Sequence, residues 1–157
     1  MICGLPGAGK TTLAKRLEVE RSAVRMCPDE WIEQILAAPD DYRERDRLRD
    51  PVEDLQWEIT QRLLLLGTVV VMEFGFWAEE ERSNFALTAV ELGAKVELHC
   101  LEAPFEELWR RIQLRNASLE TKTWVMSRGD AEAGWRVFQS PTALELQFYD
   151  DWAVYRS

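Results

Sequence analysis

The stretch Gly4-Leu5-Pro6-Gly7-Ala8-Gly9-Lys10-Thr11-Thr12 constrains this chain more than any other, because it fits the pattern G-x-x-x-x-G-K-[ST]. In that pattern glycines let the backbone come close to phosphate groups and the loop amides cradle them. The lysine reaches the β and γ phosphates, and the Ser/Thr hydroxyl meets Mg2+. Such a loop joins the end of a strand to the start of a helix, whose positive N-terminus then faces the bound anion. Met1-Ile2-Cys3 supplies the strand end, and Leu13, Ala14 and Leu17 recur afterwards at helical spacing. Three residues are short for a central strand, which raises the expectation that residues preceding Met1 belong to it.

The rest of the chain alternates between the two periodicities. Residues 23–26 read as a second strand ended by Pro28, and a helix follows over 30–36. Residues 39–50 are dense in charge and begin Pro-Asp-Asp, which predicts an exposed segment and a candidate substrate flap. Leu55, Ile59, Leu63 and Leu66 then mark a helix closed by Gly67. The three valines within 68–73 predict a strand covered on both faces. Phe85, Ala89 and Leu92 predict a helix ended by Gly93, and 95–101 a further strand. Pro104 opens an amphipathic helix with apolar Phe105, Leu108, Trp109 and Ile112, while Ser127 and Asp130 have the spacing of a capping box. After Pro141 the pattern is ambiguous, with room for an edge strand. Strands alternating with helices predict an α/β fold, a doubly wound and mainly parallel sheet flanked by helices, over one domain spanning 1–157.

Composition narrows the partners. The chain has 157 residues, and none of its apolar runs approaches the length of a membrane span. No secretory pattern precedes Lys10, so the cytoplasm is the expected compartment. Cys3, Cys27 and Cys100 are scattered and His99 is the single histidine, which removes most zinc-site spacings and predicts reduced thiols. A net charge of -9 works against long nucleic acid, whose binding rests on phosphate neutralisation. Oligomeric state is not legible.

Several residues outside the loop carry candidate chemistry. Glu73 closes the valine-rich strand at the carboxyl edge of the sheet, where an acidic residue holds Mg2+ directly or through water; the alternative is a carboxylate left exposed as the strand exits. Asp29 follows the second strand at the same edge, either capping the next helix or accepting the proton of an acceptor hydroxyl. On the helix after Pro104, Glu106–Arg110 and Glu107–Arg111 have the spacing of ion pairs, whereas Arg115 lacks such a partner and is the better phosphate ligand. Arg82 is open between substrate contact and pairing with Glu79 or Glu81. Arg43, Arg45, Arg47 and Arg49 alternate with Glu44, Asp46 and Asp50 and read as a solvated run rather than an anion site. Trp31, Trp57, Trp109 and Trp135 read as core, Trp77 as a cleft residue, and His99 as a buried strand residue.

The segments GLPGAGKTT, CPDEW, VVVMEFGFW and ELWRRIQLRN together resemble the small P-loop kinases grouped with AAA family ATPases, related to polynucleotide kinase, chloramphenicol phosphotransferase and zeta toxin. The likeness runs from Met1 to about Asn116 and is weaker in FQSPTALEL. It implies a P-loop nucleoside-triphosphate-binding fold with a helical lid, and ATP with Mg2+ as cofactors. It makes Asp29 the base for the acceptor hydroxyl and Lys10 a catalytic phosphate ligand. Gly4, Pro6, Gly7, Ala8, Gly9, Lys10, Thr11 and Thr12 form the nucleotide loop, and Thr11 with Glu73 forms the metal site. Nucleotide contacts come from Arg110, Arg111 and Arg115 on the lid helix, with Arg111 and Arg115 catalytic. Glu73 departs from the aspartate frequent at its position. The chain is too short for the hexameric ATPase module, and no N-K-x-D motif for guanine is present. The expected function is ATP-dependent phosphorylation of a hydroxyl on a small molecule, whose identity would be chosen by 39–50 and 75–82. The alternatives are a polynucleotide 5′-hydroxyl kinase, with Arg43 to Arg49 as its basic channel, and a nucleotide-binding switch that transfers nothing.

Overall fold

A computed structural model describes residues 1–36, 42–118 and 125–157. Its strands β1 (Ile2–Gly4), β2 (Val24–Met26), β3 (Val70–Met72), β4 (Glu97–Glu102) and β5 (Asp151–Arg156) pair only in parallel. One ladder has the order β1-β4-β5 and the other is β2-β3. A parallel bridge between Cys3 and Gly75, with the Gly4 amide donating to the Gly75 carbonyl at 3.0 Å, joins them. The resulting order is β2-β3-β1-β4-β5, and the ambiguous C-terminal stretch supplies the edge strand.

Successive side chains of a strand point to opposite faces, and both faces of this sheet are covered. Ile2 and Val71 lie on one face with Leu13, Ala14 and Leu17 of helix α1 (Lys10–Glu20) and Leu108 of α5 (Phe105–Ala117). Cys3, Met72, Leu98 and Cys100 lie on the other, packed with Trp57 and Ile59 of α3 (Tyr42–Leu65) and Phe85 of α4 (Glu79–Glu91). Each fully buried large apolar side chain contributes roughly 1.5–3 kcal/mol. Among the described residues, no helix is long and apolar enough to cross a membrane.

The charge-dense stretch differs from its expected form. Residues 42–50 are the first turns of α3, which continues through Pro51 to Leu65 as one helix. The first part of the proposed flap, 37–41, lies outside the described residues. The inward track of α3 is Val52, Gln56 and Thr60 at i, i+4 spacing, whereas Leu55 and Leu66 are exposed. A hydropathy pattern assigns a buried glutamine and threonine to the wet side, while Ile59 and Leu63 of the expected stripe do pack on the core.

Helix α2 (Pro28–Ile35) starts earlier than its pattern suggested, with Cys27 at the N-cap. Proline fits the first turn because its missing N–H would have no helical partner there. Ser127 and Asp130 form the expected capping box of α6 (Arg128–Val137), with the Asp130 amide donating to Ser127 Oγ at 3.2 Å. A short helix α7 (Ala143–Leu146) follows, its N-cap Thr142 accepting from the Glu145 amide.

Arg82 is neither a substrate residue nor a partner of Glu79 or Glu81. It is fully buried, and its fork donates to Glu145 Oε1 at 2.6 Å and Oε2 at 2.7 Å. The remaining nitrogen donates to the carbonyls of Phe76 and Gln139 at 3.0 and 2.8 Å. One guanidinium thus fastens α4 to the segment that leads into β5.

Candidate active site

The loop between β1 and α1 takes its shape from glycine. Gly7 has φ 82°, and a Cβ there would stand 2.8 Å from the Leu108 carbonyl oxygen of α5. Gly9 is the N-cap of α1 with φ 97° and brings no side chain to its amides. The first-turn amides of α1 are therefore presented to an anion rather than to a cap. Pro6 is half-buried, Ala8 is buried with its amide donating to the Leu5 carbonyl at 3.1 Å, and Thr12 is exposed. Gly7→Ala is expected to cost about 1–3 kcal/mol, because it adds both a left-handed alanine and a backbone collision. A thermal melt reads the loss of stability, and its shift on adding MgATP reads the loss of the cradle.

Lys10 and Thr11 open α1 at the mouth of this loop. Lys10 Nζ donates to the Leu5 carbonyl at 3.1 Å. Burial lowers its pKa, while the carboxylates of Asp29 and Glu73 oppose that shift. Thr11 Oγ1 donates to Glu73 Oε1. Glu73, just past β3, is buried, and its Oε2 accepts from Arg25 Nη1 at 3.1 Å. Arg25 also binds Glu18 and Glu30, at 3.1 and 2.6 Å. Arg25 is a site residue that the motifs do not mark; its one signal in the sequence is an arginine inside a short strand.

This donor set suits Mg2+. A threonine hydroxyl and one carboxylate oxygen adjoin, and Mg2+ takes few protein oxygens, completing its shell with phosphate oxygens and water. Among the described residues, no group of three or more His, Cys, Asp or Glu is placed to hold a metal ion by itself.

Asp29 lies in the first turn of α2 rather than at its N-cap. Its Oδ1 accepts from Arg45 Nη2 at 2.9 Å and from Arg49 Nη1 at 3.0 Å. Burial would raise the Asp29 carboxyl, but Arg49, Arg45 and Lys10 hold it below the ordinary aspartate value. The arginine run is therefore not simply solvated. Arg47 pairs with Glu44 on the outside, yet Arg45 and Arg49, four apart on α3, face inward where that helix passes α2.

The three arginines of α5 divide. Arg111 Nη1 donates to the Gly7 carbonyl at 3.4 Å and its Nη2 to Ser157 Oγ at 3.1 Å, so it touches the phosphate loop. Arg115 is half-buried, and burial lowers its pKa against the nearby Asp29 carboxylate. Arg110 departs from the expected nucleotide contact. Both of its hydrogen bonds go to Glu107 on the exposed face, while Glu106, its expected partner, binds Arg128. Glu107 takes both Arg110 and Arg111, which pull its carboxyl down to about 2. The arginine-bearing segment expected as the lid helix is thus part of α5, and residues 119–124 after it lie outside the described residues.

A cavity of about 730 Å³ opens beside the loop, walled by Leu5, Leu101, Leu108 and Trp135 and rimmed by Arg156 and Ser157. Trp135 is 44% exposed rather than core, with its ring edge-on to Phe105. Trp77 packs across Gly134 of α6, where a Cβ would stand 3.1 Å from its ring. Trp31 and Trp57 pack on one sheet face and Trp109 against Ile112 and Met126, while His99 in β4 lies 3.1 Å from the Tyr155 hydroxyl.

Residues 1–132 match the family described as AAA domain. No functionally curated protein matches the chain. The structure is similar to that of a protein of Chloroflexus aurantiacus j-10-fl provisionally designated a kinase, with a TM-score of 0.74 at 20% identity over 99% of this chain and 85% of that one. It is also similar to Chaetomium thermophilum Kti12 in complex with ADP-AlF3, with a TM-score of 0.70 at 15% identity over 99% of this chain and 86% of that one. At these identities the likeness is one of fold, an α/β architecture with a parallel sheet flanked by helices.

Proposed function

We propose, from the premise that the chain belongs to the AAA domain family, that it is an ATP- and Mg2+-dependent phosphotransferase acting on a hydroxyl of a small molecule. The observation that carries this reading is the Asp29 carboxylate, set in the electrostatic reach of both Lys10 and Arg115 while two arginines engage one of its oxygens. A nucleotide switch needs the phosphate loop but has no use for such a carboxylate.

The roles follow from position. The loop amides and Lys10 hold the β and γ phosphates, with Arg111 at the Gly7 carbonyl and Arg115 on the side of Asp29. Thr11 and Glu73 hold Mg2+, which when bound neutralises charge on the β and γ oxygens. Asp29 accepts a hydrogen bond from the acceptor hydroxyl and aims its oxygen in line. Phosphoryl transfer asks mostly for positioning and electrostatics, so a carboxylate of low pKa suffices for that duty. The kinase designation of one structural neighbour and the ADP-AlF3 bound to another agree with the assignment. Kinship with polynucleotide kinase, chloramphenicol phosphotransferase and zeta toxin belongs to the same reading, as does the cytoplasm, where three buried free cysteines stay reduced. The 5′-hydroxyl alternative is weakened, because Arg45, Arg47 and Arg49 of its basic channel are engaged by carboxylates of the chain itself.

The test is ATP consumption with Mg2+ across nucleosides, aminoglycosides, sugar nucleotides and 5′-hydroxyl oligonucleotides, with Lys10→Ala as the blank. One acceptor class is expected to raise turnover, and Lys10→Ala to lower it about 10²-fold. Nucleotide binding with no acceptor above that blank would overturn transfer in favour of the switch.

A pH profile gives a further check. The folded-state pKa of Asp29 is depressed, so its contribution to stability is present above 3.8 and is lost only as pH falls through the lower folded value. The base stays ionised over the same range. The acid limb of kcat/KM is therefore expected below about pH 4; a limb near about pH 6 would assign the base to another group.

A further inference from the structure

We propose that Arg45 and Arg49 of α3 are positioning residues that hold Asp29 by its Oδ1, so that Oδ2 is the atom offered to the acceptor hydroxyl. The proposal rests on the reading of Asp29 as the acceptor base, and deepens it.

Two guanidinium groups converge on one carboxylate oxygen, at 2.9 and 3.0 Å. Among the described residues no hydrogen bond goes to Oδ2. The two arginines can act together because residues four apart on a helix share a face. Arg45 is buried, and its Nη1 has Glu33 Oε1 as an ion-pair partner at 3.9 Å. Arg49 spreads its planar fork over three partners, Glu53 Oε1 at 2.7 Å, Asp29 Oδ1 at 3.0 Å and the Phe74 carbonyl at 3.1 Å. Phe74 directly follows Glu73, so one rigid group relates the carboxylate on α2 to the end of β3 and its metal-binding residue.

The arrangement also solves an electrostatic problem. The charged groups facing Asp29 are Lys10 from α1, Arg45 and Arg49 from α3, and Arg115 from α5. An untethered Asp29 would be drawn towards Lys10, removing the acceptor base and the phosphate ligand in one ion pair. The two arginines compete for the carboxylate from the opposite helix and keep Lys10 available for phosphate. A lysine at 49 would supply the charge without the three-point geometry.

The experiment combines carboxyl NMR with kinetics on the full chain, in Arg49→Gln, Arg49→Lys, Asp29→Asn and the double variant Asp29→Asn/Arg49→Gln. The first readout is the 13C titration of the Asp29 carboxyl, which is expected to move to higher pH in Arg49→Gln and less in Arg49→Lys. The second is MgATP turnover with water as acceptor, where kcat is expected to fall about 10- to 100-fold in both single Arg49 variants with KM for ATP unchanged. The double variant is expected to be no slower than Asp29→Asn, because Arg49 acts through Asp29. An unmoved Asp29 titration in Arg49→Gln would overturn the proposal. So would additive losses in the double variant, or full rescue of kcat by lysine. Wild-type turnover in Asp29→Asn sinks the base reading instead, and the NMR titration still reports on the tether.

Discussion

Replacing Asp29 by asparagine is expected to lower phosphoryl transfer about 10²- to 10⁴-fold while leaving nucleotide affinity close to the parent, with stability falling only by what the carboxylate charge adds to its contact with Arg45 and Arg49. Asparagine keeps the carbonyl oxygen that accepts from Arg45 and Arg49 at 2.9 and 3.0 Å, so the contact between α2 and α3 survives. What is lost is the negative charge and the second acceptor oxygen at the acceptor hydroxyl. The phosphate ligands come from other elements, Lys10 and the loop amides at the start of α1 and Arg111 from α5, so KM for ATP should hold. Single-turnover transfer to whichever acceptor the panel identifies measures the effect, and a thermal melt controls for folding. Normal turnover in this variant would remove Asp29 from the chemistry.

Arg82→Met is expected to be the most destabilising single change outside the apolar core, by about 3–5 kcal/mol. Glu145 is 3% exposed, and methionine would leave its carboxylate buried without the fork that now binds both of its oxygens. The carbonyls of Phe76 and Gln139 would lose a donor as well. For a chain of this size the loss corresponds to a fall in Tm of about 10 °C. The double variant Arg82→Met/Glu145→Leu should recover much of it, because removing both charges removes the desolvation cost that their pairing offsets. Urea denaturation of both variants decides the matter. A single variant within about 0.5 kcal/mol of the parent, the range of ordinary surface substitutions, would show that water reaches Glu145.

The phosphate loop, the alternation of strands with helices and the carboxyl-edge positions of Asp29 and Glu73 were legible before any coordinates. Each depends on residues close together in the chain, or on a rule of topology that any doubly wound sheet obeys. The arginine-rich run 43–50 differs from its expected form for the opposite reason. Its arginines alternate with carboxylates and look self-neutralised, and nothing local says that α3 passes α2 with two of them turned inward. For Arg82 the sequence offers substrate contact or pairing with Glu79 or Glu81, and neither holds because its partner Glu145 is 63 positions away. Arg110 and Arg111 are adjacent, and only the rotation of α5 about its axis sends one to the loop and the other to solvent.

By itself the sequence determined the elements and the chemistry available at their ends, since turns, caps and helical stripes are built from contacts within a few residues. The tertiary structure alone decided the partners: Thr11 with Glu73 across 62 positions, Asp29 with Arg45 across 16, and Arg111 with the Gly7 carbonyl across 104. Those pairings depend on which strands become neighbours and on how each helix is turned. Burial and packing summed over the whole chain set both, and no local pattern encodes them.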